Sequence, residues 1–104
     1  QRYLSKETCQ LFTTETSKIS RRGLGFDKPD ADDPKKGNCA PAAPAEVYGH
    51  TGFTGTCAWV DPMNELVYVF LSNRIYPDVT NRKLNQLHIR ERIQGAIYDA
   101  MKKK

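Results

Sequence analysis

Tyr48-Gly49-His50-Thr51-Gly52-Phe53-Thr54-Gly55-Thr56 carries three glycines in nine residues, with His50 and Thr51 side by side between two of them. Glycine at this density lets a ligand or another strand approach the backbone closely. The flanks read as strands, Val47 to Thr51 before and Thr56 to Asp61 after, so Phe53-Thr54-Gly55 is a turn. Asp61-Pro62-Met63-Asn64-Glu65 places Pro and Asn in turn positions ahead of a third strand, Leu66 to Ser72. Links this short join only antiparallel neighbours, so the three strands form a meander. Leu66 to Leu71 is apolar throughout and does not alternate, which predicts burial on both sheet faces. Cover for both faces requires one helix on each or another part of the protein.

Working outward, Leu4-Ser5-Lys6-Glu7 reads as a helix start with Ser5 as N-cap. Leu4 and Cys9 form a candidate staple across it, and Leu11 and Phe12 continue a buried face. Thr13, Thr14 and Thr16 are poor helix formers and end it. Gly23-Leu24-Gly25-Phe26 reads as a short strand. It begins a G-x-G-x-x-G pattern, but Lys28 stands at the last glycine position, which excludes a dinucleotide loop.

Residues 27–46 hold four of the six prolines and read as a long Pro/Ala-rich loop, a lid or an insertion. Asp30, Asp32 and Asp33 lie in it without the spacing of a calcium loop, and read as solvated. A final helix runs from about Thr80 to Met101. Ile89, Ile93, Ala96, Ile97 and Ala100 mark its buried stripe, with Arg82, Arg90, Glu91, Gln94 and Asp99 largely off it. The fold class is α+β, an antiparallel sheet flanked by an N-terminal and a C-terminal helix.

Composition narrows the function. The 104 residues carry a net charge of +4, three units of which are the run Lys102-Lys103-Lys104, read as a frayed, solvated end. Arg82, Lys83, Arg90 and Arg92 are interrupted by Glu91 with no interleaved aromatic, so nucleic acid is not an expected partner. No apolar run approaches the ~20 residues of a membrane span. Cys9, Cys39 and Cys57 form no C-x-x-C pair and His50 and His88 lie on different elements, so no metal and no cofactor is expected. One disulfide plus a thiol and three free thiols are both allowed. G-x-S-x-G and H-E-x-x-H are absent, and none of Ser5, Ser17, Ser20 and Ser72 is followed by Lys three positions on.

The run GHTGFTGT, followed by Trp59-Val60-Asp61-Pro62 and Leu71-Ser72-Asn73-Arg74, resembles the third motif of the serine β-lactamase and penicillin-binding-protein superfamily and the strands after it. That motif is usually K-T-G and here is His50-Thr51-Gly52. Arg22-Gly23-Leu24-Gly25-Phe26 resembles the strand before the motif, and the terminal helix resembles the family's closing helix. The similarity is to the class C and esterase-like branch and covers nearly the whole chain.

The resemblance implies serine acylation on an amide or ester, as in class C β-lactamases, esterases and D-aminopeptidases, with Ser-x-x-Lys and a Tyr-containing second motif upstream. Residues 1–104 are then the C-terminal segment of a single β-lactamase-like domain, which agrees with a first residue, Gln1, that is not Met. This segment alone is expected to be inactive. It implies four site residues. The N–H of Phe53, after Gly52, corresponds to an oxyanion-hole donor, Thr51 contacts substrate through its hydroxyl, and His50 replaces a Lys that supplies positive charge. An ordinary imidazole titrates close to neutrality, whereas Lys stays charged. The expected partners are a small amide or ester substrate and the upstream part of the same protein, in a periplasmic or secreted setting. The alternative is a non-catalytic binding or assembly module, with a dimer through an exposed apolar sheet face.

Overall fold

The computed structural model describes residues 2–102. The elements are α1 (Lys6–Thr13), a single 3-10 turn (Pro34–Lys36), β1 (Tyr48–Thr51), β2 (Cys57–Asp61), β3 (Leu66–Phe70), α2 (Lys83–Gln86) and α3 (Ile89–Lys102). The strands form one antiparallel sheet in the order β1-β2-β3. The architecture is α+β, with the meander as expected. Gln1, Lys103 and Lys104 lie outside the described residues, and with them most of the expected frayed end.

Register assigns every strand residue to a face. Gly49, Trp59 and Tyr68 stand opposite one another, as do Thr51, Cys57 and Phe70. This is the inner face, and Cys39, Val47, Cys57, Trp59 and Tyr68 form the core on it with Ala43, Phe70 and Ile97. Burying each large apolar side chain here stabilises the fold by about 1.5–3 kcal/mol. Tyr48, Val60 and Val67 share the outer face with His50, Ala58 and Val69. Among the described residues β3 is therefore buried on one face only, so these residues do not themselves supply the two-sided burial expected from its apolar run. Val67 and Val69 are 65% and 56% exposed, because no element among the described residues lies over them.

Residues 27–46 are a loop, exposed over much of its length, that is anchored to the core at a few points. Cys39 and Ala40 are buried, and the Ala40 N–H donates to Gln94 Oε1 on α3 at 2.7 Å. The loop thus fills the space between sheet and helix. Its entrance is held by Asp27, whose carboxylate accepts from Arg21 Nε (2.8 Å), Asn38 Nδ2 (2.8 Å) and the Lys28 N–H (2.8 Å). The Lys28 ammonium is buried and donates to the carbonyls of Thr13 (2.8 Å) and Val47 (3.1 Å). Burial pushes its pKa down.

The helices depart from their expected outlines. Ser5 caps α1, accepting from the Thr8 N–H at 3.1 Å, but Leu11 and Phe12 are exposed and α1 has no fully buried residue. Phe12 on its apolar side lines a shallow cavity with Phe26 and Tyr48. Residues 23–26 do not form a strand; the chain pairs with β1 one residue later, through Asp27 and Gly49. The continuous helix expected over 80–101 is two helices, broken at His88, whose φ of 51° is left-handed and cannot continue a right-handed helix. The seat of α3 is also rotated from the expected stripe. Gln94 and Tyr98 are buried while Ile93, Ala96 and Ala100 are exposed. Gln94 and Tyr98 win the interior because each meets a buried polar partner, the Ala40 N–H and the Asp61 carboxylate.

Candidate active-site edge at the Gly-rich hairpin

The Gly-rich motif occupies the end of β1, at the edge of the sheet. Gly49 exchanges two backbone hydrogen bonds with Asp27 on that edge, 2.8 and 3.1 Å. A glycine is required there by close approach. A Cβ at Gly49 would collide with the Ala58 carbonyl and lie 2.8 Å from the Trp59 ring. By the two-residue period of a strand, the Thr51 backbone groups face the same outer edge.

His50 and Thr51 project to opposite faces. His50 is exposed on the outer face beside Ala58 and Val69, and Thr51 is half-buried on the inner face with Cys57 and Phe70. The imidazole is held at both nitrogens, with Nδ1 2.6 Å from the Thr51 carbonyl and Nε2 3.1 Å from Arg22 Nη1. A carbonyl only accepts and a guanidinium only donates, so Nδ1 carries the proton and Nε2 offers its lone pair to Arg22. The fixed positive charge at this position is thus the guanidinium of Arg22.

Gly52 begins the turn. Its N–H donates to the Thr56 carbonyl at 2.8 Å, and its carbonyl accepts from the Gly55 N–H at 3.0 Å. Gly55 has φ +99° and sits against Ser72 and Leu84, where a side chain has no room. The Thr54 carbonyl accepts from the Arg74 N–H at 2.9 Å. Phe53 at the tip is 69% exposed, with the Arg74 guanidinium 4.6 Å from its ring centre. Among the described residues no protein acceptor is paired with the Phe53 N–H. A groove of 420 Å³ lies beside the turn, lined by Asn73, Arg74, Tyr76, Asn81 and Leu84 among others.

The Beta-lactamase family profile matches residues 2–91, most of the chain. The chain belongs to the β-lactamase family. It is 33% identical over 81 residues to an Escherichia coli O157:H7 protein named "Putative D-alanyl-D-alanine carboxypeptidase", covering 78% of this chain and 18% of that relative. An identically named protein of Escherichia coli K12 is 33% identical over 79 residues, 76% of this chain and 18% of that relative. A third of that name, from Salmonella paratyphi B, is 46% identical over 43 residues, 41% of this chain and 10% of that relative. The chain therefore spans about a fifth of the length of the first two curated relatives. No solved structure matches.

The four residues singled out from sequence are thus contiguous at one sheet edge, but they do not share one face. Arg22, Arg74 and Arg90 were not singled out. Arg22 lies 28 positions from His50, beyond any spacing rule, and its one signal is its place in the strand-like segment before the motif. Arg90 reads as a solvent-facing helix residue, yet its Nη1 donates to the Thr56 carbonyl at 2.8 Å. Buried thiols are also present. Burial, with the Asp27 charge adding, pushes Cys39 up to about 12, and burial raises Cys57. All three cysteines are free. No helix among the described residues is long and apolar enough to cross a membrane.

Proposed function

We propose that this chain is the C-terminal segment of a β-lactamase-related serine hydrolase that acts by serine acylation on an amide or ester. The observation that carries the proposal is the hairpin turn. Its Gly52, Thr54 and Thr56 carbonyls are engaged, while the Phe53 N–H at its tip has no protein acceptor among the described residues. A backbone donor kept free and aimed by its neighbours suits the charge that develops on a tetrahedral intermediate. In this reading the outer edge at Thr51 pairs with an extended substrate as an added strand does. The groove beside Arg74 receives the substrate's body.

Arg22 bears on the substrate. A carboxylate beside the motif meets the planar donor fork of a guanidinium, which matches it in geometry, so replacement of Lys by His does not remove a cationic partner from the site. This favours a peptide or lactam with a free carboxylate over a neutral ester, and agrees with the names of the relatives. A periplasmic or secreted setting follows from that substrate class.

The acylated serine and its lysine lie, in this proposal, in the remainder of the protein. A protein carrying this segment together with a Ser-x-x-Lys half is expected to be labelled covalently by a fluorescent penicillin and to hydrolyse nitrocefin or a D-alanyl-D-alanine peptide. The isolated chain is expected to do neither. Turnover by the isolated chain, or failure of the longer protein to acylate, contradicts the proposal.

A second reading, a non-catalytic assembly module, is favoured by one observation, the exposed apolar outer face formed by Val67, Val69 and Ala58. An uncovered apolar face of this kind favours association. It predicts a dimer of the chain by light scattering and no acylation in any context.

A further inference from the structure

We propose that Arg90 is the positioning residue of the catalytic edge, holding the turn that presents the Phe53 N–H; the proposal rests on the hydrolase reading above. Arg90 is the second residue of α3. Its Nη1 donates to the Thr56 carbonyl at 2.8 Å and reaches the Gly52 carbonyl at 3.5 Å, so one nitrogen clasps both ends of the turn. Its Nη2 donates to Asn85 Oδ1 on α2 at 2.9 Å. Its own carbonyl accepts from Tyr68 Oη at 2.9 Å. The guanidinium therefore ties the turn to the break between α2 and α3, and Tyr68 ties the start of α3 to the sheet.

The rest of the turn is fixed from its other side. The Thr54 carbonyl is taken by the Arg74 N–H, and Gly55 sits against Ser72 and Leu84. With both sides held, the direction of the Phe53 N–H is set before substrate arrives. An oxyanion donor is effective because it is aimed in advance, and small misplacements are costly. Lys cannot substitute fully. An ammonium is a compact point charge on a flexible stem, whereas the planar guanidinium holds acceptors at fixed angles. Arg90 Nε is buried without an acceptor among the described residues, so the side chain is held there through its two terminal nitrogens.

Two measurements test this. In the chain itself, R90M is expected to speed amide hydrogen exchange at Gly52 and Gly55 by about tenfold over the β2–β3 ladder, with R90K in between. In the longer protein with its acylated serine, R90M is expected to lower kcat per titrated active site by about 10- to 100-fold with KM little changed. R90K should recover part of the loss. Unchanged exchange at both glycines, a uniform rise across the sheet, or a loss confined to KM overturns the proposal. If R90M does not fold, R90K decides by the same criteria. A wild-type longer protein that fails to acylate defeats the hydrolase reading, and the exchange measurement still decides whether Arg90 holds the turn.

Discussion

Tyr98 on α3 donates a 2.7 Å hydrogen bond to Oδ2 of Asp61 at the end of β2, and both residues are buried. Asp61 also accepts from the backbone N–H groups of Met63 (2.9 Å) and Asn64 (3.1 Å) and from Asn64 Nδ2 (2.8 Å). One carboxylate thus closes the β2–β3 turn and seats the final helix. Tyr98→Phe keeps the ring and removes the hydroxyl. A hydrogen bond to a charged group contributes about 1.5–3 kcal/mol, so the melting temperature is expected to fall by roughly 10 °C. A thermal melt that matches wild type contradicts this role.

Acid should unfold the chain through two carboxylates. Burial pushes Asp61 and Asp27 up, and their hydrogen bonds, from Tyr98 and Asn64 to one and from Arg21, Asn38 and Lys28 to the other, outweigh it and hold both below the ordinary value. A lowered folded pKa contributes stability that is present above the unfolded value and is lost as pH falls through the folded one. The melting temperature is expected to be flat near neutrality and to drop below about pH 4. Asp61→Asn should flatten the acid limb. An unchanged limb in that variant assigns the acid sensitivity elsewhere.

Two glycines of the motif should differ when replaced by alanine. At Gly49 the new methyl meets backbone, the Ala58 carbonyl and Trp59 Cα at 2.9 Å, along with the Trp59 ring. None of these moves without breaking the sheet, so a loss of about 3 kcal/mol or more is expected. At Gly52 the new methyl meets the Thr56 hydroxyl, the end of a side chain that can rotate. Urea titrations should rank Gly49→Ala well below Gly52→Ala, and a reversed order would show that the register around Trp59 is not as described.

Thiol labelling should report the core directly. Cys9 is exposed, whereas Cys39 and Cys57 are buried with raised pKa values. Thiolates are the reactive form. Alkylation at pH 8 followed by mass spectrometry is expected to modify Cys9 in the native chain and the other two only after denaturant. Rapid native labelling of Cys39 contradicts the packing of residues 27–46.

Arg22 should discriminate among substrates in the longer protein. Arg22→Ala is expected to raise KM for a carboxylate-bearing substrate by about tenfold, the scale of one lost hydrogen bond to a charged group. Its effect on a neutral ester should be small. Equal effects on both substrates remove Arg22 from carboxylate recognition.

Much of the fold is legible along the chain because it is local. The cap at Ser5 depends on four consecutive residues, and the meander depends on short turns with Pro, Asn and Gly. The candidate site is legible as a motif for the same reason, since His50, Thr51, Gly52 and Phe53 are adjacent. The helix break at His88 is not legible. Nothing in Leu87-His88-Ile89 forbids a continuous helix, and a left-handed φ at a non-glycine residue is tolerated only when surrounding contacts require it. The exposure of Leu11 and Phe12 is likewise invisible to periodicity, which reports an apolar face and not what covers it.

The sequence by itself determined the α+β class, the strand pairing, the capped first helix and the motif with its family. The elements are set by period, turn chemistry and spacing within a few residues, and the family by the resemblance of the motif and its flanking strands. The tertiary structure alone decided which face of each strand is inside, that Gln94 and Tyr98 seat α3, and that His50 and Thr51 face opposite ways. It also decided that Arg22 and Arg90, 28 positions from His50 and 34 from Thr56, reach the motif. Those outcomes depend on which distant group satisfies a buried donor or acceptor. That competition is resolved only when the chain closes around its core.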